Sequence, residues 1–251
     1  MILSFAYNKG GVGKTTITYN VGGILSTKGY RVLLIDMDGQ CNLSEIAGLK
    51  NPEHTIYDAL AKGEDLMVYP LKENLACCPS SINMNALDAD MAMKPGREYY
   101  LKRLLKDYQR DFDFVLCDCP PSIGIATMNA LTASDYVIIP VEGRYLSVSN
   151  IGVMVDLISD VKKMVNPELE ILGVVMSRFK NRERVANQLQ KEIQESIKLP
   201  MFNSVIRESV HIGEAPMYRE DILSYSKGSL GASDFIRFVD EILERANYER
   251  K

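Results

Sequence analysis

No apolar run in this sequence reaches the roughly 18–20 residues that a helix needs to cross a bilayer, so a helical membrane span is excluded. The first apolar stretch starts at Ile2, so no secretory leader is expected. Cysteines are few and odd in number: the five are Cys41, Cys77, Cys78, Cys117 and Cys119, and none are paired in a CxxC spacing. They read as reduced thiols of a cytoplasmic protein rather than as a disulfide framework. Positive charge is not in excess. A formal net charge of −4 argues against a uniformly basic nucleic-acid binder but leaves room for a local basic patch. Internal repeats, low-complexity stretches and a convincing linker are also missing.

What is present is the material of one globular domain. The 251 residues are 46% hydrophobic and 25% charged, enough to bury a full-sized core. Strands are predicted at Ile2–Tyr7, Arg31–Asp36, Leu75–Pro79, Phe112–Asp118, Tyr136–Val141, Ile171–Met176 and Met201–Ile206. Several are almost continuously apolar, as strands buried on both faces of a parallel sheet must be. Helices are predicted at Lys14–Lys28, Ile82–Met91, Glu98–Tyr108, Ile123–Thr132, Val148–Val165, Arg184–Ile197 and Ser229–Asn247. The alternation implies an α/β fold: a doubly wound, mostly parallel sheet with helices on both faces. Such sheets bind ligands at the carboxyl ends of their strands.

At the end of the first strand stands Lys9-Gly10-Gly11-Val12-Gly13-Lys14-Thr15-Thr16. A phosphate-binding loop has to turn sharply and bring its backbone close to an anion. Glycines permit both, and the following helix start aims its amides at the phosphates. Lys14 is placed to reach the β- and γ-phosphates, and the Thr15 hydroxyl to ligate Mg2+. A glycine-rich turn with chance lysines is disfavoured by the strand before it and the helix after it. The pattern GxxxxGK[ST] is not strictly met, because its first glycine falls at Asn8 and Lys9 follows.

Two more acidic strand ends follow. The second strand runs into Asp36-Met37-Asp38-Gly39-Gln40-Cys41-Asn42. Residues two apart on a strand share a face, so Asp36 and Asp38 are both expected to point toward the loop. The stretch Phe112–Asp118 is apolar, ends in aspartate, and is closed by Cys119-Pro120-Pro121-Ser122. The prolines stop the strand and stiffen the next turn. An iron–sulfur cluster is disfavoured, because no cysteine follows Cys119.

KGGVGKTT, with lysine opening the loop, is the deviant Walker A motif and resembles the ParA/MinD family of P-loop ATPases. The segment from Asp36 to Asn42 resembles that family's DxDPQxN box, with Gly39 where proline is usual and Cys41 where glycine is usual. The DxPPS ending at Asp118 is also typical of it. The resemblance spans essentially the whole chain and comes nearest to the short, Soj-like ParA partition proteins. It implies a single P-loop ATPase domain over residues 1–251, with no separate N-terminal DNA-binding domain. It implies ATP and Mg2+ as ligands, with ATP bound by residues 9–16. Lys9 would reach across a homodimer interface to the partner's ATP, and Asp38 would position the attacking water. Thr15, Asp36 and Asp118 would hold the metal, the aspartates through water.

The last third carries weaker signals. Ser177 and Arg178 end a strand where the family places an adenine contact. The segment from Ile206 to Pro216 is similar to the family's IPRNVRLSEAP, although Arg207 replaces its proline, Glu208 its first arginine and His211 its second. Arg207 is a third adenine candidate. Lys180, Arg182 and Arg184 form a basic cluster with Arg178, and Arg219 and Lys227 could extend it. A solvated loop explains these charges as well as a phosphate-contacting patch does. Phe235, Phe238, Val239, Ile242, Leu243 and Ala246 mark one face of a terminal helix, which core packing explains better than membrane targeting. The resemblance implies an ATP-dependent dimer that binds nonspecific DNA on the nucleoid and is reset by hydrolysis, for plasmid or chromosome segregation. A ParB-like or other centromere-binding partner would stimulate that hydrolysis. The alternatives are a MinD-like membrane-associated positioning ATPase and a metabolic ATPase with a small substrate.

Overall fold

The computed structural model describes residues 1–108, 110–142, 148–179 and 198–248. Strands β1 (Ile2–Phe5), β2 (Val32–Asp36) and β5 (Phe114–Asp118) are buried at every residue. Strands β6 (Tyr136–Glu142), β7 (Glu170–Phe179) and β8 (Met201–Arg207) continue the sheet on one side. On the other lie β4 (Leu75–Cys78) and β3 (Tyr69–Lys72). The order is β3-β4-β2-β5-β1-β6-β7-β8, parallel throughout except for the β3–β4 pair. All seven predicted strands are present. β3 was not predicted: it is a four-residue edge strand containing Pro70, alternately half-buried and exposed. Proline is tolerated there because an edge strand has no neighbour waiting for its amide.

Helices cover both faces. On one side lie α1 (Lys14–Thr27) and a C-terminal helix (Leu230–Arg245). With one face of the central strands they enclose a core that includes Phe5, Leu34, Phe114, Phe235 and Phe238. On the other side, α4 (Tyr100–Tyr108), α5 (Ile125–Ala133) and α6 (Val148–Met164) enclose a second core around Leu33, Leu101, Leu105, Val115 and Ile139. Short helices fill the gaps: α2 (Asn42–Ile46), α3 (Leu87–Asp90), α7 (Val210–Glu214) and α8 (Ile222–Tyr225). The predicted helix Ile82–Met91 is a 3-10 turn over Ile82–Ala86 running into α3. The predicted helix Arg184–Ile197 lies outside the described residues.

Numbered in chain order, the C-terminal helix is α9. Phe235, Phe238, Val239 and Ile242 are fully buried in it, so the stripe that could have read as a membrane face is core. Ser229 caps its start, accepting the Ala232 amide at 3.1 Å. The topology places β1 between β5 and β6, with Phe5 opposite Asp118 and Asp118 opposite Asp36. The carboxyl ends of β2, β5 and β1 therefore finish side by side.

Candidate nucleotide site

The loop between β1 and α1 turns on two left-handed residues, Gly11 at φ +77 and Gly13 at φ +87. Any residue with a Cβ would be strained there. Gly13 is also the N-cap of α1. No side chain caps this helix, and its first turn holds no acidic residue. Its leading amides are thus left for a ligand, and the helix dipole favours an anion. Asp221 and Ser229 cap α8 and α9, whereas α2, α3, α5 and α7 share the uncapped start of α1, so it is the glycine loop before it that sets α1 apart.

Lys14 lies behind the loop and is nearly buried. Its ammonium donates to the Lys9 carbonyl at 3.0 Å and the Tyr7 carbonyl at 3.2 Å. Burial lowers its pKa, while the carboxylates of Asp118 and Asp38, with Cys119, pull it back up. A buried cation beside two acids is primed to exchange backbone carbonyls for phosphate oxygens. Lys9 is half-exposed, and Gly10 is exposed with open space where a Cβ would stand.

The three aspartates differ. Asp118 is 1% exposed, and neither of its carboxylate oxygens has a hydrogen-bond partner among the described residues. Burial and the Asp36 carboxylate push its pKa well above the usual carboxylate range, against the pull of the Thr15 hydroxyl and Lys14. An orphaned buried carboxylate next to a threonine hydroxyl fits a hydrated divalent cation, which would supply the missing partners. Asp38 is half-exposed and lines the pocket with Thr15. Its carboxylate accepts the Gln40 amide at 3.0 Å, which fixes the turn.

Asp36 is placed otherwise than the sequence suggested. Strand β2 ends at Asp36, so the two-residue periodicity does not carry on to Asp38. Instead the Asp36 carboxylate accepts the Ser44 amide (2.8 Å), the Ser44 hydroxyl (2.7 Å) and the Asp38 amide (3.1 Å). Burial raises its pKa to about 6, against these three hydrogen bonds. It braces the Asp38 turn from behind, and Ser44 is a part of the site that no sequence motif announced.

The two departures from the DxDPQxN box have physical readings. A Cβ on Gly39 would come within 2.5 Å of the Asn85 side-chain oxygen, so Asn85 occupies space that a proline ring would need. Cys41 sits at φ 56, a left-handed geometry that glycine adopts freely and cysteine only at about 1 kcal/mol.

A cleft of about 700 Å³ runs from the loop toward β8 and α9. That volume suits a nucleotide. Beyond Asp38 and Thr15, its far wall includes Ile206, Ser209, Ile212 and Phe235. These residues come from β8, the turn after it, α7 and α9, which only the fold brings together. Ser177, Arg178 and Arg207 all line this cleft. The Ser177 hydroxyl, however, donates to the Val12 carbonyl at 2.6 Å, and the Arg178 guanidinium reaches the Gly11 carbonyl at 3.3 Å. Arg207 is tied by two hydrogen bonds, 2.8 and 2.6 Å, to the fully buried Asp234, which also binds Arg237.

Of the DNA-contact candidates, Lys180, Arg182 and Arg184 lie outside the described residues. Arg219 and Lys227 are exposed. The Arg219 side chain lies against Gly48 at the end of α2.

Comparison with known proteins gives the family. The family profile for the AAA domain matches residues 1–171. The sporulation initiation inhibitor protein Soj of Bacillus subtilis is 32% identical, with 96% of this chain and 97% of that protein covered. The chromosome-partitioning ATPase Soj of Treponema pallidum is 33% identical, with 97% of each covered. Among solved structures, cobyrinic acid a,c-diamide synthase of Mycobacterium smegmatis with bound ADP and magnesium superposes with a TM-score of 0.87 at 30% identity, covering 100% of this chain and 96% of that one. With a P-loop whose amides are uncapped, acids converging on it and relatives matched over nearly its full length, the chain belongs to the AAA-domain P-loop ATPases of the ParA/MinD family and groups with their Soj-like partition proteins.

Proposed function

We propose that this protein is a partition ATPase that binds Mg-ATP at residues 9–16, closes as a homodimer, grips DNA without sequence preference and is reset by hydrolysis. The observation that supports it most is the pairing of an uncapped α1 start with the buried Lys14 and the unpartnered Asp118. The partition role rests on the Soj relatives.

In this reading the amides of Gly10 through Thr16 cradle the phosphates, with Val12 packed beneath them, and Lys14 leaves the Tyr7 and Lys9 carbonyls to neutralise the β- and γ-oxygens. Thr15 and Asp118 would hold Mg2+, which would supply charge neutralisation of the phosphates. Asp36 acts through Asp38, whose turn it anchors. Asp38 orients the attacking water in line with the leaving group. Lys9 crosses the dimer interface to the partner's nucleotide. Arg207 is held by Asp234, so base recognition falls to the apolar wall and backbone of the far end rather than to its guanidinium.

Lys9→Ala is expected to bind ATP within about threefold of wild type but to lose ATP-dependent dimerisation and turnover. Gly10→Val should do the same by obstructing close approach. Sedimentation velocity with ATP and with ADP checks both, and a persistent ATP-dependent dimer in the Lys9 variant would remove the cross-interface role.

No helix among the described residues is long and apolar enough to cross a membrane. A peripheral, MinD-like role keeps one supporting observation: the cell-division ATPase MinD of Pyrococcus furiosus shares the fold at TM-score 0.77 and 25% identity. Against it, the apolar face of α9 is buried in the core. The experiment that decides is binding to DNA and to anionic liposomes with ATP, ADP and no nucleotide. DNA binding is expected only with ATP, and it should fall steeply with salt because phosphate contacts release counterions. Two weak patches on one rigid dimer gain effective concentration, which lets a chain of net charge −4 hold DNA conditionally. Arg182→Glu with Arg184→Glu should weaken binding by about tenfold or more on every sequence and leave DNA-free hydrolysis unchanged. Liposome binding without DNA binding at low salt would replace partition with membrane positioning. A silent double variant would move the patch to Arg219 and Lys227.

A further inference from the structure

We infer that Ser177 is a positioning residue for the phosphate loop, acting through the loop backbone and not through a nucleotide base. The inference rests on the reading of residues 9–16 as the phosphate site and assigns a part to a residue that the motif does not contain. Ser177 lies at the carboxyl end of β7, opposite Glu142 of β6, and is 2% exposed. Its hydroxyl has a single proton. The Val12 carbonyl receives it at 2.6 Å, and the Val141 carbonyl stands at 3.2 Å. The serine thus joins the loop to the ends of β6 and β7, across 165 residues of sequence in the case of Val12.

The geometry of the peptide unit turns this contact into a constraint on binding. A trans peptide is planar, and its C=O and N–H point in opposite directions. Fixing the Val12 carbonyl toward Ser177 therefore fixes the Gly13 N–H on the other side of the loop backbone. The next residue repeats the device. Arg178, itself in a left-handed conformation at φ 49, sends its guanidinium to the Gly11 carbonyl at 3.3 Å and so turns the Val12 N–H the same way. A left-handed arginine is uncommon, and this one sits next to the serine that holds the loop. The glycines at 11 and 13 give the loop freedom to adopt its shape. They equally give it freedom to leave that shape. A glycine-rich loop without a side-chain tether must be ordered by its ligand, at a cost in affinity. Ser177 removes part of that cost before any anion arrives.

The test compares wild type, Ser177→Ala and the hydroxyl-retaining Ser177→Thr in two arms. In the first, binding of Mg-ATP is measured beside magnesium tripolyphosphate, which has phosphates and no base. A brace predicts that Ser177→Ala weakens both by the same factor, about tenfold for one lost orienting hydrogen bond, with kcat at saturation changed much less. Ser177→Thr should restore both. Loss of ATP affinity with tripolyphosphate unchanged would make Ser177 a base contact and overturn the proposal. The second arm uses no nucleotide: hydrogen exchange of the amides of Val12, Gly13 and Lys14. Faster exchange confined to that loop in Ser177→Ala supports the brace. Unchanged exchange, or exchange raised equally through β1 and α1, overturns it. If wild type binds neither ATP nor tripolyphosphate, the phosphate-site reading fails, while the exchange arm still decides whether Ser177 orders the loop.

Discussion

Asp38→Ala is expected to lower ATP turnover by at least about 100-fold while Mg-ATP binding and the ATP-dependent dimer persist. Positioning is most of what a phosphoryl-transfer site contributes, and a displacement of about 1 Å can by itself cost that factor. Asp38 is the half-exposed acid on the pocket wall beside Thr15. Its backbone makes the hydrogen bond to Asp36, so removing the side chain spares that anchor, although the Gln40 amide loses its acceptor. The site should therefore fill and close without reacting. Asp36→Ala should behave in the opposite order. It strips acceptors from the Ser44 amide and hydroxyl and the Asp38 amide, a buried network whose loss costs about 1–3 kcal/mol. Denaturant titration of both variants, with single-turnover assays of ADP release, separates the two roles. Wild-type turnover by Asp38→Ala would falsify its assignment.

Lys14→Ala is expected to weaken Mg-ATP by about 100-fold or more. Each charge-assisted hydrogen bond to a phosphate oxygen contributes roughly 1.5–3 kcal/mol, and this ammonium is placed to make at least two. The effect exceeds that of an exposed lysine because Lys14 is 7% exposed and stands among the carboxylates of Asp118 and Asp38. Without it, an arriving triphosphate meets a site of net negative charge. The fold should survive, since among the described residues the hydrogen bonds lost are those to the Tyr7 and Lys9 carbonyls, together with the attraction of Asp118 and Asp38. Calorimetric titration with ATP, next to circular dichroism of the nucleotide-free variant, reads both expectations. Binding as tight as wild type would mean that the phosphates lie elsewhere.

The two predictions differ in how far they could be read from the chain alone. The Lys14 assignment is local. A buried strand, glycines at 11 and 13, a lysine and a helix start occupy one short stretch, and the chemistry needs nothing from elsewhere. Asp118 is nearly as local, because an apolar run closed by aspartate and two prolines ends one way. The pairing of Asp36 with Asp38 shows where local reasoning stops. The rule that residues two apart share a face holds only inside a strand, and β2 ends at the first of them. Whether a carboxylate points at a ligand or at its own backbone depends on Ser44, eight residues further on.

Sequence by itself determined the sheet, since strands buried on both faces are continuously apolar and helices between them carry a different period. It also determined the glycine-rich loop, because spacing within a few residues fixes its turn, but it named the acids without fixing where the Asp36 carboxylate points. Tertiary structure alone decided the rest of the pocket. Ser177 meets Val12, Phe235 meets the far wall, Asp234 holds Arg207, and Asn85 stands against Gly39. It also decided that β3 forms, because a short, half-exposed strand gains its order from pairing with β4. The side-chain contacts join segments far apart in the chain, where a single sequence carries side-chain identities but no distances, whereas β3 pairs with its immediate neighbour.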